Sequence, residues 1–237
     1  MKIALIGYGK MGRAIEETVN QQGHEIVLKI HSKNQELFTK QNLQSCDVAI
    51  EFSTPETAVN NIFTCLDAGI PTISGTTAWL DQYDVVKEKC LKLNGTFLYA
   101  SNFSIGVNIF FAINEALAQM MQSFPNYKPE IAEIHHTQKK DSPSGTAITL
   151  AEQIIAFNKN LHGWILEKDV PDKITIHSKR TDPAPGTHHV NYHSVVDDIE
   201  IIHTAHNRTG FAAGTVAAAA FIQHKKGIFT MKDVLGF

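Results

Sequence analysis

The stretch from Glu133 to Ala147 collects the side chains of this chain that are best suited to chemistry. It reads EIHHTQKKDSPSGTA, so two imidazoles and two ammonium groups lie close together before a proline and a Ser-Gly-Thr-Ala segment. Ser144 or Thr146 can cap the first amides of a helix, and such amides bind anions. The stretch therefore predicts a pocket for a small carboxylate or phosphate. A solvated charged loop with one buried histidine is the alternative interpretation.

The elements on either side of this stretch must hold it in place. Residues 130–134 alternate in polarity and predict a half-buried strand, which puts His135 and His136 at the end of a rigid element. The residues from Ala147 to Phe157 predict the helix that follows the turn. Lys139 lies four residues beyond His135 in a turning loop, so both side chains can face the same ligand.

The beginning of the chain predicts a nucleotide-binding turn. Residues 2–6 form a compact apolar strand that leads directly into Gly7-Tyr8-Gly9-Lys10-Met11-Gly12, and helical spacing follows from Arg13. Between a first strand and a first helix, a GxGxxG pattern lets a pyrophosphate approach the helix amides. A turn that needs only the flexibility of glycine is the alternative.

Strands and helices continue to alternate, with short links, through the first hundred residues. The predicted strands are 25–30, 47–52 and 96–100, with a further strand in 71–77 that runs into a small-residue loop. The predicted helices are 57–68 and 80–93. This alternation is typical of an α/β fold with a doubly wound parallel sheet. Ser53 and Glu56 have the spacing of a capping box at the start of the helix 57–68.

The carboxyl end of the second strand bears on the choice of cofactor. Many NAD-binding units have an acidic residue there, which holds the ribose hydroxyls. This chain has His31-Ser32-Lys33 instead, and no carboxylate follows until Glu36. A basic, hydroxyl-bearing tip suits a 2′-phosphate, so the sequence favours NADPH without excluding NADH.

The pattern changes after residue 130. Strands at 130–134, 173–178, 190–196 and 199–203 accompany one long helix, which indicates a smaller α+β domain with an open mixed sheet. The Pro- and Gly-rich segment 178–189 predicts a loop, and the Ala-rich segment 211–222 predicts a helix that returns to the first domain. The predicted domains are 1–106 with 208–237, and 107–207.

The bulk composition excludes some classes of partner. The formal net charge of the 237 residues is −3, which gives no reason to expect nucleic acid or an anionic membrane as a partner. Cys46, Cys65 and Cys90 are scattered, without a CxxC pair, as is typical of reduced thiols in a cytosolic protein. The chain opens directly on a strand pattern, and no apolar run is long enough to span a bilayer. We therefore expect a cytoplasmic protein.

Three motifs together resemble the bacterial 4-hydroxy-tetrahydrodipicolinate reductase family of lysine and diaminopimelate biosynthesis. They are the stretch 133–147, the segment Gly75-Thr76-Thr77, and the segment 100–108, which reads ASNFSIGVN. The likeness covers nearly the whole chain. It implies a Rossmann-type domain that binds NADH or NADPH, a smaller mixed-sheet domain that binds a dicarboxylate substrate, and a homotetramer.

The resemblance also implies roles for individual residues. It implies His135 and Lys139 as catalytic acids in the reduction of the dehydrated, unsaturated ring acid to tetrahydrodipicolinate. The residues expected to hold the substrate carboxylates are His136, Ser144, Gly145 and Thr146. The residues expected to contact the cofactor are Gly7, Gly9, Lys10, Met11, Gly12, Ser32, Lys33, Phe52, Gly75, Thr76, Thr77, Ala100, Ser101, Asn102 and Phe103.

Two residues depart from the family pattern. Lys10 stands near the place of an arginine in the glycine motif, so the lysine is expected to take over its role near a 2′-phosphate. Asp182 replaces a glycine in the Pro-rich segment, which puts the mobility of that segment in question.

Three other functions remain open at this point. The 12 histidines invite a metal site, but adjacent histidines seldom bind one ion and hydride transfer needs no metal, so we expect none. Another two-domain NAD(P)-dependent reductase of a small acid or imine shares the features of the first half. A non-enzymatic nucleotide-sensing protein could use the same fold, since fold does not determine function.

Overall fold

The computed structural model describes residues 1–207 and 209–237, which form two compact units. The first unit comprises Met1–Ile105 and Thr209–Phe237, and the second comprises the described residues 106–207. The boundary predicted at residue 208 lies outside the described residues. No helix in the described part of the chain is both long and apolar enough to cross a bilayer.

The secondary structure follows the chain in three segments. The first segment contains β1 (Lys2–Ile6), α1 (Lys10–Gln21), β2 (Glu25–Ile30), α2 (Lys40–Leu43), β3 (Val48–Glu51), α3 (Pro55–Asp67), β4 (Thr72–Ser74), α4 (Tyr83–Lys92) and β5 (Thr96–Tyr99). The second contains α5 (Ile105–Met121), β6 (Lys128–His135), α6 (Gly145–Phe157), β7 (Trp164–Leu166), β8 (Ile174–Arg180), β9 (Gly186–His193) and β10 (Asp198–Ala205). The third contains α7 (Thr209–Ile222), β11 (Gly227–Phe229) and α8 (Met231–Leu235).

The first unit is built on a six-stranded parallel sheet in the order β11-β5-β4-β3-β1-β2. Strand β1 is buried on both faces: Ile3 and Leu5 pack with residues of α1 and α7, while Ala4 and Ile6 pack with Leu43 and other residues of the opposite layer. Helices therefore cover both faces of the sheet, and the predicted doubly wound α/β fold is confirmed. The strand order reverses between β1 and β3, and ligands in such sheets bind beyond the carboxyl ends of the strands at this point.

The second unit is built on a five-stranded mixed sheet in the order β10-β9-β6-β8-β7. Strand β6 pairs in parallel with β8 and antiparallel with β9, so it lies at the centre. Buried residues of β6, β8 and β9, among them Ile131, Ile176 and Val190, form one core with residues of α5 and α6. The predicted smaller domain with an open mixed sheet is thus confirmed as a fold.

The sequence interpretation of residues 178–189 as a loop is wrong. Strand β8 extends to Arg180 and β9 begins at Gly186, which leaves only residues 181–185 between them. Both strands pair with β6, and these pairings outweigh the local preference of glycine and proline for a turn. Strand β9 ends at His193, not at residue 196, because the Ser194 side chain and backbone bond Asp197 in a tight turn.

Two predicted helix starts are also corrected. The N-cap of α3 is Thr54, with Pro55 in the first turn, and the Ser53 hydroxyl donates to Glu51 instead of capping the helix. The predicted helix 80–93 is a 3-10 turn, Leu80–Gln82, followed by α4.

Candidate active site

A groove of about 320 Å³ lies beyond the carboxyl ends of β1, β3 and β4 in the first unit. It is lined by Gly9, Lys10, Met11, Gly12, Phe52, Ser53, Pro55, Gly75, Thr76 and Thr77. Eight of these ten residues are ones that the sequence analysis expected to contact the cofactor. The groove therefore brings together residues 9–12, 52–55 and 75–77, which lie far apart in the sequence.

The glycines of the segment that joins β1 to α1 serve two different purposes. Gly7 has φ +94, and a Cβ there would lie 2.0 Å from the Phe52 carbonyl oxygen; a Cβ on Gly12 would lie 2.5 Å from the Gly7 carbonyl oxygen. These two glycines let the turn pack against β3 and the start of α1. A Cβ on Gly9 would meet nothing within 4 Å, so the space above the turn is open to a ligand.

The start of α1 suits an anionic group. Its N-cap is Gly9, which makes no side-chain capping bond, and its first turn has no acidic residue and begins with Lys10. The amide groups and the partial positive charge of a helix start bind phosphate. With the open space above Gly9, this arrangement fits the pyrophosphate of a dinucleotide.

The other residues expected to contact the cofactor lie outside the groove lining. Ser32 and Lys33 belong to the loop after β2, where the Asn34 side chain accepts from the His31 amide at 2.8 Å and donates to the Lys29 carbonyl at 2.8 Å. Gly7 is tied to this loop because its amide donates to the Ile30 carbonyl at 2.9 Å. The loop tip is thereby held beside the glycine turn.

Residues 100–103 follow β5, and two of the four pack into the core. Ala100 and Phe103 are buried in the core, and the Phe103 ring lies 5.7 Å from the Phe52 ring. The Asn102 side chain accepts from the Ser104 amide at 2.9 Å, and Ser101 is exposed.

A buried carboxylate organises the second unit. The Glu133 side chain is 0% exposed and accepts hydrogen bonds from the Ser144 amide at 3.1 Å, the Ser178 hydroxyl at 2.5 Å and the Arg180 guanidinium at 3.0 Å. Burial would raise the pKa of Glu133, but these three donors, with attraction to His135, hold it below its usual range. Glu133 therefore remains ionised and ties β6 to β8 and to the start of α6.

Two imidazoles lie against this carboxylate. His135 Nδ1 is 3.5 Å and His188 Nε2 is 3.8 Å from Glu133 Oε2, and the two rings meet edge to face with centroids 5.0 Å apart. Burial, with smaller effects from Lys139 and Arg180, lowers the pKa of His135 although Glu133 opposes the shift. Burial and the neighbouring His135 lower the pKa of His188 to about 3. Both rings are therefore neutral at neutral pH.

Gly186 leaves room for the His135 ring. It has φ +156 at the start of β9, and a Cβ there would lie 3.1 Å from His135 Nε2. The Thr181 amide donates to the His135 carbonyl at 2.8 Å, which fixes the backbone of this residue as well.

The loop that carries Lys139 is held at both of its ends. The Lys139 ammonium donates to Asp141 at 2.7 Å, and the Asp141 carbonyl accepts from Arg180 at 2.6 Å. The Thr137 hydroxyl donates to Asp182 at 2.5 Å. Asp182, which departs from the family pattern, thus anchors the start of the loop to residues 181–185.

The predicted anion-binding helix start is present at α6. Ser144 is its N-cap, and the Ser144 hydroxyl accepts from the Ala147 amide at 3.2 Å while lying 3.2 Å from His188 Nε2. Gly145 begins the helix, and a Cβ there would meet nothing within 4 Å. Ser144 and His135 are thus brought together through Glu133, with Gly145 and Thr146 next in the chain. His136 faces Asp182, whose pKa it helps to lower after the larger effect of Thr137.

The same cluster has the spacing of a metal site. Glu133, His135 and His188 each offer one atom within 4.8 Å of the others. However, Glu133 already accepts hydrogen bonds from the Arg180 guanidinium, the Ser144 amide and the Ser178 hydroxyl. The positive charge of Arg180 also opposes a cation at this place. The donor set therefore suits a hydrogen-bonded carboxylate better than a metal ligand.

Sequence reasoning assigned no role to Glu133, Ser178, Arg180 or His188. One signal was available: Glu133 and His135 lie two residues apart on a strand, so their side chains point to the same face. The other members follow from the register of the sheet: Ser178 on β8 and His188 on β9 are paired with Glu133, and Arg180 is paired with His135.

The buried imidazoles make stability depend on pH. The pKa of His188 is about 3 in the fold and near 6.5 in the unfolded chain, so between these values the unfolded chain binds more protons and stability falls as pH decreases. Between pH 6.5 and 5, the free energy of unfolding of His188→Gln should therefore fall by about 1.5 kcal/mol less than that of the wild type. Urea unfolding at several pH values measures this. The half-exposed His193 on the same strand supplies the control His193→Gln. Parallel curves for His188→Gln and the wild type would contradict the expectation.

Comparison with known proteins places both units in one family. The model for the dihydrodipicolinate reductase N-terminus matches residues 1–103, and the model for its C-terminus matches residues 106–235. The chain is 53% identical to a 4-hydroxy-tetrahydrodipicolinate reductase of Christiangramia forsetii, covering 99% of this chain and 98% of the relative. It is 35% identical to a protein of the same name from Akkermansia muciniphila, covering 96% and 94%.

A solved structure shares the fold. The dipicolinate-bound dihydrodipicolinate reductase from Paenisporosarcina sp. TG-14 is 24% identical, with a TM-score of 0.77 over 97% of each chain. The expected family and the expectation of a reductase are therefore confirmed. From the match of both family models and the near full-length identity to its relatives, the chain belongs to the dihydrodipicolinate reductase family.

Proposed function

We propose that this protein reduces 4-hydroxy-tetrahydrodipicolinate, through its dehydrated form, to tetrahydrodipicolinate, with NADPH or NADH as the reductant. Family membership along the whole chain supports the reaction. One observation on the second unit carries it: Glu133 contacts the Ser144 amide at the start of α6 and lies 3.5 Å from His135. The Glu133 carboxylate thus contacts both the anion-binding start of α6 and the His135 ring, which can carry a proton.

We assign the first unit to the dinucleotide and the second to the substrate. Gly9, Lys10 and Gly12, at the start of α1, would hold the pyrophosphate, while Phe52 and residues 75–77 line the remainder of the groove. When bound, the reduced nicotinamide supplies a hydride to the substrate ring. The basic tip His31-Ser32-Lys33, without a carboxylate, favours NADPH over NADH.

The second unit supplies the binding of the carboxylates and the proton. Ser144, Gly145 and Thr146 begin a 13-residue helix whose first amides suit one substrate carboxylate, and His136 is placed on the loop that precedes it. The substrate is a dicarboxylate, as dipicolinate in the solved relative is. Negative charge develops beside a ring carboxylate during reduction, and the Lys139 ammonium stabilises it and delivers a proton.

His135 has a complementary role. Its buried ring is neutral at rest because its pKa is lowered. Bound carboxylates oppose that shift by attraction, so substrate binding favours uptake of a proton by His135. His135 and Lys139 then act as a coupled pair that holds the proton until it is transferred to the substrate ring.

We assign the sheet of the second unit to assembly as a homotetramer in the cytoplasm. Among the described residues, α5 and α6 pack on one face of this sheet, whereas the other face and the β9–β10 turn expose Ile202 at 52% and Val196 at 84%. A second copy of the sheet is a suitable cover for that surface.

Anaerobic oxidation of NADPH and of NADH, followed at 340 nm, tests the proposed reaction. Pyruvate, aspartate semialdehyde and the upstream synthase supply the unstable substrate in the cuvette. We expect oxidation only when all three are present, with the higher kcat/KM for NADPH. Binding of both dinucleotides without any turnover would contradict the proposal and favour a nucleotide-sensing protein.

A further inference from the structure

A second buried carboxylate lies in the first unit, at the carboxyl end of β3. Glu51 is 0% exposed, and four neutral donors surround it. Its Oε1 accepts from the Ser53 amide at 2.9 Å, from the Ser53 hydroxyl and from the Thr76 hydroxyl at 2.9 Å, while its Oε2 accepts from the Ser74 hydroxyl at 2.7 Å. A buried acid is costly unless such bonds satisfy it, so this arrangement has a structural cause.

Two of the three donor residues belong to segments that line the dinucleotide groove. Ser53 follows β3 and Thr76 follows β4, and both face the groove. The Ser53 amide also donates to the Thr76 hydroxyl at 2.9 Å, so the two segments are joined directly as well as through Glu51.

Phe52, which follows Glu51, connects this network to the segments that contain Gly7 and Gly75. A Cβ on Gly75 would lie 2.2 Å from the Phe52 ring, and a Cβ on Gly7 would lie 2.0 Å from the Phe52 carbonyl oxygen. The position of Phe52 therefore determines where both glycine segments lie. Because Glu51 fixes the backbone around Phe52, a displacement of the Glu51 carboxylate changes the shape of the groove.

We propose that Glu51 is a positioning residue for the dinucleotide: its carboxylate holds the Ser53 and Thr76 segments in the geometry that binds the cofactor. The inference rests on the proposed dinucleotide site. Glu51→Gln keeps the shape of the side chain but replaces an acceptor oxygen with an NH₂ group, which faces hydroxyls that already donate. The hydroxyl beside the NH₂ group must then rotate to accept from it and loses the carboxylate as its own acceptor, which weakens the hold on its segment.

The chain contains a reporter for this movement. Trp79 is 1% exposed, and its indole N–H donates to the Thr76 carbonyl at 2.7 Å. The protein has two tryptophans, so Trp164→Phe leaves Trp79 as the single emitter. Titration with NADPH in this background measures the dissociation constant from Trp79 emission without any turnover.

We expect Glu51→Gln to raise the dissociation constant and the KM for NADPH about tenfold, which is the scale of one displaced hydrogen bond. The KM for the dicarboxylate and kcat should stay within threefold. Glu56→Gln, an exposed position five residues along the chain, is the matched control and should equal the parent. A merely destabilised protein would instead lose active fraction, which lowers kcat and leaves KM for NADPH unchanged.

Ser74→Ala provides a second variant should Glu51→Gln fail to fold. It removes one donor and keeps the carboxylate, and we expect KM for NADPH to rise about threefold. Unchanged NADPH binding in every folded variant would overturn the role of Glu51. Absence of dinucleotide binding in the parent protein itself would instead overturn the proposed cofactor site, so the two failures are distinguishable.

Discussion

Replacement of Lys139 by Met should lower kcat about 10²- to 10⁴-fold, the usual contribution of general acid catalysis. Methionine keeps most of the length of the side chain but removes the ammonium that pairs with Asp141 at 2.7 Å. The charge that develops beside the substrate carboxylate then lacks its cation and its proton donor. Binding of NADPH should not change, since Lys139 belongs to the second unit and the groove to the first.

The neighbouring lysine provides the control for this experiment. Lys140 is exposed, so Lys140→Met changes the charge of the same loop without touching the cluster around Glu133. We expect it to retain kcat within threefold. His135→Gln should approach the loss of Lys139→Met, and the double variant should lose little more, because in the proposed mechanism the two residues act on one proton. Independent, multiplicative losses would contradict a coupled pair.

Replacement of Glu133 by Gln should destabilise the protein by about 3 kcal/mol, the lower end of the cost of breaking a buried ion pair. The substitution leaves Arg180 without its counter-charge and disturbs the bonds from Ser144 and Ser178. We place the cost at the lower end because the Arg180 side chain remains 20% exposed and keeps part of its hydration.

Urea unfolding compares Glu133→Gln with Glu130→Gln, a partly exposed position on the same strand. The control should stay within about 0.5 kcal/mol of the wild type, as surface substitutions usually do. The folded fraction of Glu133→Gln should also show reduced kcat, since the His135 ring and the start of α6 both depend on this carboxylate. A loss of stability equal to that of the control would show that Glu133 does not hold the cluster together.

The sequence predicted the frame of the protein well because its signals are local. The glycine turn, the alternation of strands and helices and the Ser144 cap each depend on residues within a few positions of one another. The segment 178–189 was assigned wrongly for the complementary reason: its strands exist because β6 lies between them, and a single sequence does not reveal that pairing.

The same limit explains which site residues were missed. Glu133 gains Ser178 from β8 and His188 from β9 only through the register of the sheet. Glu51 similarly gains Ser74 and Thr76 from the next strand and its loop. Both acids look unremarkable in the sequence, because a carboxylate in a strand more often faces solvent than a set of converging donors.

The most direct test of the proposed function is the fate of deuterium carried at C4 of the nicotinamide of NADPH. Mass spectrometry of the tetrahydrodipicolinate formed by the wild-type protein should show one deuterium bound to carbon when the label occupies the transferred position. The opposite C4 label should give unlabelled product. Oxidation of NADPH with neither label appearing in the product would contradict direct reduction of the ring.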